Sequence, residues 1–164
     1  MYDTGAERQG DKMEFPKKFP KNFLWGTAAS AYQIEGRDPH DGKGDHIWNI
    51  YEREPGHIYE NQTGDIACDH IHRFKEDVAI MKKMGLKAYR FSMDWSRLLP
   101  EGTGRVNEAG VKFYSDLIDE LLANGVEPFI TMYHWELPYE LYKKGGWLNR
   151  DIAEWFGENA KLIA

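Results

Sequence analysis

The chain has 164 residues, 41% hydrophobic and 29% charged, as expected of one water-soluble globular domain or part of a larger one. Its net charge of −6 argues against nucleic acid or an anionic membrane as a general partner, and its single cysteine, Cys68, excludes an internal disulfide and fits the reducing cytoplasm. No apolar run approaches the roughly 18 residues that a membrane span requires.

Residues 1–13 contain no apolar stretch of the kind a secretory signal carries and are expected to be a disordered lead to a domain over 14–164. "NFLWGTAAS" (22–30) predicts the first strand. A loop rich in Gly, Asp and His follows, then a helix near "HIWNIYERE" (46–54). In "CDHIHRFKEDVAIMKKMG" (68–85), Ile71, Phe74, Val78 and Met81 recur at helical spacing, and Gly85 supplies the stop. "KAYRFS" (87–92) predicts a short buried strand. Asn107 is placed to cap a helix whose apolar face is Val111, Tyr114, Leu117, Ile118, Leu121 and Leu122, ending at Asn124-Gly125. "VEPFITMY" (126–133) predicts the third strand. Pro138 opens a short helix that Gly145-Gly146 stops, and Asn149 or Asp151 begins a last helix carrying Ile152, Trp155, Phe156 and Leu162.

Strand and helix alternate three times, which predicts parallel strands joined by crossover helices. A doubly wound sheet would carry a phosphate loop after its first strand. The nearest stretch, Gly36 to Gly44, has five residues between Gly36 and Gly42-Lys43 where that loop has four, and Gly44 where Ser or Thr belongs; it is expected to be a flexible loop. The alternative is a (β/α)₈ TIM barrel, whose chemistry sits at the C-terminal ends of its strands. Here those ends carry Gln33, in the loop after strand one, Arg90, and His134-Trp135. A complete barrel takes about 250 residues, so this chain is expected to supply only the first three βα units.

Three candidate sites compete locally. Arg90 lies inside "AYRFS", where a buried charge needs an anion such as Asp94, Glu35 or Glu136. Glu136 neighbours His134, yet it also precedes Pro138 at a helix start, where a carboxylate suits the helix dipole. Cys68 and His72 have the spacing of two metal ligands on one helix face, but no further ligands cluster with them, so no metal and no cofactor is expected.

The motifs "FLWGTAASAYQIEG" (23–36), "GDIACDHIHRFKEDVAIMKKMGLKAYRFSMDWSRLLPEG" (64–102), "YHWELP" (133–138) and "GGWLNRD" (145–151) give the chain a specific resemblance. It resembles the N-terminal part of glycoside hydrolase family 1, the retaining β-glucosidase family, over nearly all of 14–164. Ile71 departs from the usual aromatic, and His46 and Asn49 alter the family's S-x-W-D loop pattern. The resemblance implies that Gln33, His134 and Trp135 line the subsite for the nonreducing sugar. Gln33 can bridge neighbouring hydroxyls, His134 and the Trp135 indole can donate, and the indole ring excludes water. It also implies that Arg90 supports the nucleophilic glutamate, keeping it ionised through its positive charge. The family's two catalytic glutamates lie in Thr-x-Asn-Glu-Pro and Ile/Val-Thr-Glu-Asn-Gly segments, neither of which occurs in these 164 residues. A β-glycoside substrate and a complementary C-terminal part of the barrel are the expected partners. A non-catalytic carbohydrate-binding fragment or engineered partial barrel is the competing reading.

Overall fold

The computed structural model describes residues 18–164; the expected lead over 1–13 lies outside the described residues. Three parallel strands form one sheet in the order β1-β2-β3: β1 (Gly26–Ala28), β2 (Ala88–Ser92) and β3 (Glu127–Thr131). Four helices follow the predicted periodicity: α2 (Ile47–Arg53), α3 (His70–Lys83), α5 (Glu108–Ala123) and α7 (Ile152–Ile163). Among the described residues there are also three short α-helices, α1 (Ala31–Ile34), α4 (Trp95–Leu98) and α6 (Tyr139–Lys143).

The first and third strands are shorter than predicted. β3 ends together with β2, where Ser92 pairs with Thr131, but β1 stops two residues earlier, where Ala28 pairs with Arg90. Beyond that point Ser30 turns the chain into α1, whose first N–H, that of Ala31, donates to Ser92 Oγ at 2.8 Å. Gln33 therefore sits on a short helix rather than in a loop.

The two residues that break the expected loop pattern cap α2 reciprocally. The Asn49 N–H donates to His46 Nδ1, and the His46 N–H donates to Asn49 Oδ1. Asn107 stands at the start of α5, but its side chain does not cap that helix. Its amide instead donates to the carbonyls of Asp41 and Arg97, each at 2.8 Å.

Strand alternation divides the residues of β2 between two faces. Tyr89 and Phe91 are buried against Phe74, Val78 and Met81 of α3 and against Phe113, Leu117 and Leu121 of α5. Burying each such apolar side chain contributes about 1.5–3 kcal/mol before the entropy of ordering it is counted. Leu122, assigned to the same face of α5 from the sequence, is exposed. A second cluster of Trp95, Leu99, Leu137, Leu141 and Ile152 lies under the turn after β3. On the other face, Ala88 and Ser92 are buried, but the row of Ala28, Arg90 and Phe129 between them is open, and Phe129 is 46% exposed.

The Gly36–Gly44 loop is irregular but pinned rather than flexible. Arg97 Nη2 donates to the Gly36 carbonyl, the Gly44 N–H donates to the Ser96 carbonyl, and Lys43 is buried 2.6 Å from Asp94 Oδ2. A lysine committed to a buried ion pair cannot receive a phosphate.

Candidate functional site

The site forms where two segments meet beyond the C-terminal ends of the strands. After β3 the backbone turns sharply. Trp135 adopts φ +79°, a left-handed conformation that costs a non-glycine residue of order 1 kcal/mol or more, and the Leu137 N–H closes onto the Trp135 carbonyl at 2.9 Å. This turn leaves the Trp135 indole 64% exposed. From the other segment, α1 presents Tyr32 and Gln33. Gln33, His134 and Trp135 line one cleft of about 260 Å³, together with Ser30, Tyr32, Trp48 and Glu136.

Tyr32, Trp48 and Glu136 escaped the sequence reading of this cleft. Tyr32 donates its hydroxyl to Glu52 Oε2 at 2.5 Å and stacks on Trp48 with centroids 6.2 Å apart. Burial, with the Glu52 carboxylate beside it, raises the Tyr32 hydroxyl well above its ordinary pKa, so it stays protonated. The pairing of Tyr32 with Trp48 had no local signal, because the two rings sit on different helices. Glu136 does not serve the dipole of α6. It turns inward, 2% exposed, and its two oxygens accept the N–H groups of Tyr32 at 3.3 Å and His134 at 3.2 Å. Burial, reinforced by the nearby Asp94 carboxylate, pushes its pKa up to about 8.

Arg90 departs from expectation. It is exposed on the open face, and its Nε–H donates to Thr131 Oγ1 at 2.7 Å. Among the described residues no carboxylate lies within ion-pair distance of it, so Asp94, Glu35 and Glu136 are not its partners. Among the described residues the buried guanidinium is Arg97, which binds Glu35 at 2.9 Å and also Asp41. Glu35 accepts the Tyr114 hydroxyl at 2.7 Å as well, which commits both of its oxygens to structure. Beside this pair, burial alone would raise the Asp94 carboxyl, but Lys43, His46 and Arg97 together outweigh it and hold Asp94 below the usual carboxylate range. Burial also lowers the His46 pKa to about 4.

Cys68 is exposed and precedes α3, so it does not share a helix face with His72. His72 engages Asp69 and Asp38 instead. Among the described residues no group of three or more His, Cys, Asp or Glu is placed to hold a metal ion. No described helix is long and apolar enough to cross a membrane.

The family model described as "Glycosyl hydrolase family 1" matches residues 15–164. "Beta-glucosidase A" of Thermotoga maritima is 54% identical over 147 residues, covering 90% of this chain and 33% of the relative. "Aryl-phospho-beta-D-glucosidase BglC" of Bacillus subtilis is 54% identical over 144 residues, covering 87% of this chain and 30% of the relative. The solved "Family 1 b-glucosidase from Thermotoga maritima" superposes with a TM-score of 0.87 over 90% of this chain and 33% of its own. The same enzyme has been solved in complex with deoxynojirimycin. The chain thus spans about a third of the length of these relatives, and its three strands and their helices are the first three βα units of their (β/α)₈ barrel.

Proposed function

Because the chain belongs to glycosyl hydrolase family 1, we propose that it supplies the sugar-holding third of a β-glucosidase-type enzyme that hydrolyses terminal β-D-glycosidic bonds with retention. Residues 14–164 are the N-terminal part of a single barrel domain. Its complementary C-terminal part brings the acid and nucleophilic glutamates, which occur in no recognisable segment of these 164 residues.

The observation that carries this reading is the meeting of Gln33, His134 and Trp135, about a hundred residues apart in sequence, in one cleft beyond the strand ends. Gln33 offers both an acceptor and a donor to adjacent sugar hydroxyls, His134 offers a ring nitrogen, and the exposed Trp135 indole offers a wall and a donor. Arg90 supports the same reading. Its guanidinium stands on the open sheet face with no carboxylate of the described residues beside it, so it is free to take one from the completing strands. There its charge stabilises the ionised nucleophile, which attacks the anomeric carbon while the second glutamate protonates the leaving oxygen. Glu35 and Glu136 take neither role: Glu35 is bound to Arg97 and Tyr114, and Glu136 to two backbone N–H groups. A single exposed, unpaired thiol at Cys68 fits a cytoplasmic enzyme.

The test is to assay the completed barrel on a 4-nitrophenyl β-D-glucoside and follow the released sugar by proton NMR. β-Glucose as the first-formed anomer is expected. No turnover, or α-glucose formed first, would refute the proposal.

A further inference from the structure

Glu136 is a carboxylate that the proposed chemistry leaves unused, yet it lines the sugar cleft from below. Each of its oxygens is occupied. Oε1 accepts the N–H of Tyr32, the residue before Gln33, and Oε2 accepts the N–H of His134. The residue between His134 and Glu136 is Trp135, held at φ +79°. One buried side chain therefore touches the backbone on both sides of the cleft, immediately beside all three expected sugar contacts. Among the described residues, its bond to Tyr32 is the one hydrogen bond that joins α1 directly to the turn after β3. The other anchors of α1 lead elsewhere: Ala31 to Ser92 of β2, the Tyr32 hydroxyl to Glu52, and the Ile34 carbonyl to the Cys68 N–H.

On this basis, and resting on the function proposed above, we infer that Glu136 is a positioning residue: it sets the separation of Gln33 from His134 and Trp135 and so shapes the sugar subsite. Both oxygens of its carboxyl keep a lone pair for the N–H they face, whether or not the group carries its proton. An amide in its place would keep one acceptor and aim an NH₂ at a backbone donor, forcing α1 and the turn apart. A shift of about 0.5–1 Å on either side breaks simultaneous contact with one sugar ring, and such misplacement is costly in rate.

The experiment compares Glu136→Gln with the parent in the completed enzyme, using circular dichroism to confirm folding. It adds Gln33→Ala alone and in combination, a double-mutant cycle that isolates coupling. Expected are about a tenfold or greater fall in kcat/KM on a β-glucoside for Glu136→Gln and weaker inhibition by deoxynojirimycin to match. Gln33→Ala should then cost at least about threefold less in the Glu136→Gln background than in the parent, because the contact it removes is already displaced. A merely structural Glu136 would lower stability and leave that coupling at zero. Parental kcat/KM in Glu136→Gln, or losses that multiply independently, would overturn the inference while leaving the proposed function intact. A parent inactive on every β-glucoside would remove the proposed function, and this inference with it. If Glu136→Gln does not fold, Glu136→Asp, which keeps the carboxyl but shortens its reach to the two N–H groups, provides the same cycle with the same two outcomes.

Discussion

Arg90 and Thr131 lie on neighbouring strands, and the Arg90 Nε–H donates to Thr131 Oγ1 at 2.7 Å on the open face of the sheet. That bond fixes the root of the guanidinium, and among the described residues neither terminal nitrogen has a hydrogen-bond or ion-pair partner.

Replacing Arg90 should therefore act on a carboxylate that arrives from outside this chain. In the completed enzyme, Arg90→Met removes a positive charge beside the nucleophile and raises its pKa. The nucleophile must be ionised to attack, so the acidic limb of the pH–rate profile moves to higher pH, by about one unit or more. A kcat/KM profile measured from pH 4 to 9 checks this; an unmoved acidic limb with full activity assigns Arg90 to structure alone.

Gln33→Ala and His134→Ala should each lower kcat/KM by about 10²-fold or more, since a buried sugar hydroxyl left without a partner costs a few kcal/mol. Steady-state kinetics on an aryl β-glucoside decides it. Efficiency within threefold of the parent for both variants would dissolve the assigned subsite.

His46 is fully buried and its pKa is lowered from 6.5 to about 4, mainly by burial. Between those values the unfolded chain binds a proton that the folded chain does not, so stability falls as pH drops from about 6.5 to about 4, and is unaffected by this group above 6.5. The contribution is up to about 1.4 kcal/mol per pH unit inside that window. His46→Gln in the completed enzyme should flatten the fall of the urea midpoint between pH 6.5 and 4.5. An identical pH dependence in parent and variant would mean that His46 titrates alike in both states.

Residues 1–164 purified alone should associate and lack activity. β1 and β3 are both sheet edges, and Phe129, Ile130, Trp25 and Leu24 are exposed, which is surface that parallel sheets normally cover. Sugar contacts without acid and nucleophile bind but do not cleave. Analytical ultracentrifugation beside an aryl β-glucoside assay tests both points. A clean monomer with turnover above buffer would place the chemistry on a carboxylate of this chain.

The order of strands and helices was legible in the sequence because it rests on local periodicity: apolar residues every three or four positions in α3 and α5, and short apolar runs at β2 and β3. That Gln33, His134 and Trp135 meet in one cleft follows for a related reason, while their contact with a sugar rests on the family resemblance. Each lies in a short motif just past a strand end, and parallel strands bring such ends together. The partners of the charged residues were not legible. "AYRFS" displays its alternation, but only the packing of α3 and α5 decided that Tyr89 and Phe91 face the covered side and Arg90 the open one. The buried guanidinium proved to be Arg97, bound to Glu35 across 62 positions, and Glu136 reached Tyr32 across 104. Contacts of that sequence separation leave no periodic trace, because they arise from where crossover helices and loops return the chain. A carboxylate's role then follows from which donors it meets there, which only the tertiary structure determines.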